Sequence, residues 1–134
     1  MDILGDIYEL IKDDPLLIEY VGPNYMYNDM PDVQEVESAY IAINPIVNGV
    51  PVDYADGKRI ADAKSARVDV LLKTLAITSG NPRLITADIM ERIADILDDN
   101  YYSQTASFTP EYDKDHQLYR ESRSFEINYY RSDY

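Results

Sequence analysis

At 134 residues the chain has room for one domain and one core, and a hydrophobic content of 46% places it with folded rather than disordered proteins. The lack of cysteine excludes disulfides, Cys-zinc sites and thiol chemistry, and a single histidine, His116, excludes His-rich metal sites and leaves little for a His-based triad. The formal charge of −13 is uneven: residues 1–56 hold twelve acids and one base, Lys12, whereas residues 57–134 hold thirteen acids and eleven bases, so nucleic-acid binding driven by phosphate neutralisation is not expected.

Asp2–Asp13 reads as an amphipathic helix with Ile3, Ile7, Leu10 and Ile11 on one stripe and Asp2 as its cap. Pro15 interrupts it. Asp14-Pro15 is the cap and first position of one further turn through Leu16, Leu17 and Tyr20, and Gly22 ends the element in the left-handed position. Asp13 and Asp14 are therefore read as capping residues rather than as an acid–base pair. Pro23–Glu37 is a polar connection without a clear period, holding a short strand around Tyr25–Tyr27. Ser38–Val47 follows as a strand, with Pro45 marking an edge or a bulge.

Asn48–Ala63 is the longest stretch with neither helical nor strand periodicity, and it is expected to be a long loop. Asp56-Gly57 is a turn signal, and Lys58-Arg59 is the first basic pair after the acidic region. Such a loop is either a plain surface connection or a partner-binding loop that orders on assembly. Lys64–Thr74 is the cleanest strand, with Ala66, Val68, Val70 and Leu72 alternating against Ser65, Arg67, Asp69 and Lys73.

After a turn through Thr78–Asn81, residues Asn81–Asn100 form the longest predicted helix. Leu84 or Ile85, Ile89, Ile93, Ile96 and Leu97 make one dry stripe, while Asp88, Glu91, Arg92 and Asp95 take the other face. Asn81 is the expected N-cap, with Pro82 at the first helical position. Tyr101–Thr109 and Gln117–Arg131 complete the chain as strands, the second with Tyr119, Phe125, Ile127 and Tyr129 on one side, joined by the acidic link Pro110–His116. The sum is a single α+β domain over residues 1–134: an antiparallel sheet packed on two helices, with a long mobile loop. Thirteen tyrosines against two phenylalanines suit sheet faces and interfaces that are half wet.

Few residues offer chemistry. The five glycines are scattered, without a nucleotide-binding pattern. Asp53, Asp56 and Asp62 lack the spacing of a calcium loop, and Glu111, Asp113 and Asp115 around Lys114 read as a solvated hairpin tip before a cation site. His116 has no nucleophile in sequence reach, and Ser103, Ser107, Ser122 and Ser124 lie on strands rather than at a strained turn. Catalysis is not expected, and no metal or cofactor is implied. No apolar run approaches a membrane span, and no basic flank precedes an apolar core at the N-terminus, so a soluble protein is expected.

The order of segments carries a resemblance. A first helix written DILGDIYELIKDDPLLIEYVG precedes the strand-like SAYIAINPI; ARVDVLLKT then feeds the helix ITADIMERIADIL, and LYRESRSFEINYY closes the chain. Over nearly its whole length this resembles the small tail-completion proteins of long-tailed bacterial viruses, the tail terminators and tail-to-head joining proteins. The resemblance implies a structural virion protein, in a hexameric ring that caps the tail tube and meets the head, with no enzymatic activity and no cofactor. Its implied partners are the tail tube protein, a head-completion or connector protein, and further copies of itself, with a monomer before assembly. DNA would pass through the ring without specific binding, and no membrane is involved. The implied location is the head–tail joint of the virion, reached from the host cytoplasm. An anionic wall fits such a channel, since like charge keeps DNA from sticking. The loop residues Val52, Asp53, Tyr54, Asp56, Lys58, Arg59 and Asp62 are the candidate assembly interface. The rival readings are an acidic DNA mimic that inhibits a nucleic-acid enzyme, suggested by the net charge, and a small hydrolase using a carboxylate pair.

Overall fold

Asp2, Asp14 and Asn81 each start a helix by the same device, a side-chain oxygen accepting from the free N–H groups of the first turn. Asp2 takes the Leu4 N–H at 3.1 Å and opens α1, Ile3–Ile11. Asp14 takes those of Leu16 and Leu17 at 3.0 and 3.4 Å and opens α2, Pro15–Tyr20. Asn81 takes those of Arg83 and Leu84 at 3.0 and 3.5 Å and opens α3, Pro82–Asp99. The computed structural model describes residues 2–27, 38–55, 58–77 and 79–130, and of 47–55, 58–60 and 130 the backbone alone. Residues 28–37 of the predicted polar connection and the turn signal Asp56-Gly57 lie outside the described residues.

The strands are β1 (Tyr25–Tyr27), β2 (Ala39–Ala55), β3 (Lys58–Lys73), β4 (Ser103–Ser107), β5 (Glu111–Asp113) and β6 (Leu118–Tyr130). They form one six-stranded sheet in the order β1-β2-β3-β6-β4, and β5 pairs with β6 as well. The sheet is mixed rather than wholly antiparallel, because β1 runs parallel to β2 while every other pairing is antiparallel. Among the described residues three α-helices, not two, accompany it: Pro15 divides the first helical region as expected, but both parts are helices in their own right. The architecture is α+β, a sheet packed against helices.

The core lies between the sheet and the helices. Ile41 and Ile43 of β2, Ala66, Val68, Val70 and Leu72 of β3, and Phe125 of β6 point into it. From above come Ile3, Ile7 and Ile11 of α1, Leu17 of α2, and Ile89, Met90, Ile93 and Leu97 of α3. Of the two alternatives at the start of the α3 stripe, Ile85 packs against the core and Leu84 is exposed. Thr86 belongs to the buried stripe too, its hydroxyl donating to the Pro82 carbonyl at 2.8 Å. At the end of α2, Gly22 takes φ +58° and its N–H reaches the Leu17 carbonyl at 3.0 Å.

The predicted loop Asn48–Ala63 is the main correction. Its described residues are the outer half of a β-hairpin made by a 17-residue and a 16-residue strand. The paired register shifts between Pro45 and Val47, Asn48 and Val50, Pro51 and Asp53, and Asp53 and Tyr54. These steps leave Ile46, Gly49 and Val52 as extra residues on β2 and Ile60 on β3. A bulge moves the alternation to the other face, so four within fourteen rungs erase the period that betrays a strand. Pro45, expected at an edge or bulge, stands beside the first of them.

Candidate assembly surfaces

The first surface is the hairpin. Backbone pairing sets Tyr54 opposite Arg59, Ala55 opposite Lys58, and Asp53 opposite Ala61, with Val52 in a bulge. The last described rung between β3 and β6 is Ala61–Tyr130, so the rungs Tyr54–Arg59 and Ala55–Lys58 lie beyond it. Asp62 faces Pro51 on one side and Tyr129 on the other, inside the three-strand region. The expected interface residues Val52, Asp53, Tyr54, Lys58, Arg59 and Asp62 are thus gathered on two adjacent strands, and Asp56 lies outside the described residues.

The second surface escaped the sequence reading. Across the sheet from the helices, β3 and β6 place Asp69 opposite Ser122, Arg67 opposite Ser124, and Leu71 opposite Arg120. Asp69 is 1% exposed. One carboxylate oxygen, Oδ1, accepts from Arg67 Nε at 3.2 Å, from Arg120 Nε and Nη2 at 3.3 and 3.2 Å, and from the Ser122 hydroxyl. Arg67 also donates to Ser122 Oγ at 3.2 Å and lays its guanidinium 4.3 Å from the centre of the Phe108 ring. The other oxygen, Oδ2, is buried and meets no donor among the described residues. A carboxylate this buried is tolerable because two cations and a hydroxyl replace its water. The guanidiniums are only partly covered, about a third of each side chain remaining exposed. Beside them Leu71 and Leu118 bury each other with Tyr40 packed against them.

A third polar group ties helix to sheet. Tyr129 of β6 donates its hydroxyl to Asp6 of α1 at 2.7 Å, and the Tyr102 hydroxyl lies 3.5 Å away. Burial, then the bonds to Tyr102 and Asp6, raise the Tyr129 phenol far above its usual range. Burial raises Tyr102 too, against the opposing effect of its bond to Tyr129. On the far side of α3, Arg123 spans Glu91 at 2.8 Å and Gln104 at 3.2 Å, flooring a cavity of about 210 Å³ rimmed by Asp95 and Asp98.

The chemical candidates are occupied with structure. Asp113 accepts from the N–H groups of Asp115 and His116 at 3.0 and 3.2 Å and pairs with His116 Nδ1 at 2.8 Å, closing its own turn. That His116 bond holds the Asp113 carboxyl below its usual range. Asp14 is spoken for twice, as a cap and as the 2.7 Å partner of Arg92. Among the described residues no group of three or more His, Asp or Glu side chains is placed to hold a metal, and no helix is long and apolar enough to cross a membrane.

No protein-family model and no curated protein matches this chain. Sixteen solved chains match it in structure. One of them, a protein whose name states no function, aligns with a TM-score of 0.50 over 97% of this chain and 96% of its own at 10% identity. At that identity the likeness concerns the fold alone.

Proposed function

We propose that this chain is a tail-completion protein: a structural component of the joint between phage tail tube and head, working as a six-copy ring through which DNA passes. The observation that carries the reading is the long β2–β3 hairpin on a helix-backed sheet. It spans the stretch that holds the candidate assembly-interface residues and sets Val52, Asp53, Tyr54, Lys58, Arg59 and Asp62 on neighbouring strands. A hairpin suits this work, since paired strands hold their own backbone bonds and still offer an edge to a neighbour. The charge supports it as well. A ring built from copies of net charge −13 repels the DNA that slides through it. Its partners are then the tail tube protein, a head-completion or connector protein, and other copies of itself, and its role requires neither catalysis nor a cofactor.

Immunogold electron microscopy of purified virions, with antibody raised against this chain, tests the reading. Label concentrated at the head–tail joint is the expected result. Virions that carry no label, and no peptide of this chain by mass spectrometry, overturn it. Tight, salt-sensitive capture of a basic nucleic-acid enzyme by a chain absent from virions favours the acidic DNA mimic.

A further inference from the structure

We draw no further inference here: the strongest candidate, the cavity of about 210 Å³ that Glu91, Asp95 and Asp98 of α3 line together with Arg123 of β6, carries nothing, because it is a cluster of acids whose arginine is already held by Glu91 and Gln104 and nothing in the structure shows what fills it.

Discussion

The two faces of the sheet bury their residues by opposite means. On the helix side Ile41, Val68, Val70 and Phe125 are buried because they are apolar and have helices over them. On the other side Asp69, Ser122 and Ser124 are 1%, 4% and 4% exposed without being apolar. Their cover is the stems of Arg67 and Arg120 and the Phe108 ring, and their stability comes from satisfied charge rather than from surface removed from water. The first face is a core that tolerates no water. The second is a surface that keeps two cations, each about a third exposed, in fixed positions.

That contrast can be tested by substitution. Phe125→Ala, on the covered face, should cost about 4 kcal/mol, the sum of lost burial and the cavity left behind, read as a fall in the urea midpoint. Asp69→Ala should cost about 3 kcal/mol, near the low end for a broken buried ion pair because its arginines are partly hydrated. The comparison sharpens if Arg67, Asp69 and Arg120 are all replaced by leucine. That triple variant should be more stable than Asp69→Ala alone, since no charge is left unpaired, read as a higher urea midpoint. A triple variant less stable than Asp69→Ala would contradict that account of the buried carboxylate.

Smaller effects separate the helix layer from the sheet. Asp14→Ala removes the α2 cap and the partner of Arg92 together and should cost about 1–2 kcal/mol, more than the few tenths expected of Glu19→Ala on the exposed side of the same helix. Tyrosine titration addresses the tyrosines beneath that layer. Burial, aided by Tyr8, Tyr27, Asp14 and Asp13, pushes the Tyr25 phenol up to about 12. A phenol raised on folding contributes stability that is fully present below the ordinary value near 10 and is lost as pH rises towards 12. Absorbance at alkaline pH should therefore show Tyr25, Tyr102 and Tyr129 ionising after the exposed tyrosines and together with unfolding. The smallest effect on stability concerns Asp113, whose carboxyl His116 holds low. In His116→Ala its carboxyl should move back up only part of the way by NMR titration, because the backbone N–H groups of residues 115 and 116 still donate to it, with the melting temperature nearly unchanged.

What the sequence made legible follows from how locally each feature is encoded. The helices announce themselves within a few residues, through Asp2, Asp14-Pro15 and Asn81-Pro82 at their starts and an apolar stripe behind each. The inner part of β3 shows itself by alternation because both its neighbours are in register there. The outer hairpin was hidden because Ile46, Gly49, Val52 and Ile60 each break the period, and because Asn48, Pro51, Asp53 and Gly57 read as loop chemistry. Pro45 was the one visible hint. The Asp69 cluster was hidden for another reason: Arg67, Asp69, Arg120 and Ser122 read singly as the solvent side of two strands, and only the register of β3 on β6 makes them neighbours. An aspartate two residues from an arginine on one strand is a weak signal until the partner strand is known.

The central proposal is that this chain completes tails and joins them to heads. Its most direct test is electron microscopy of lysates from the source of this gene, on that proposal a phage, with the gene interrupted by a stop codon. The account predicts DNA-filled heads lying apart from tails, or tails of uncontrolled length, with joined particles restored when the chain is supplied from a plasmid. Intact, infectious particles made without it would contradict the account.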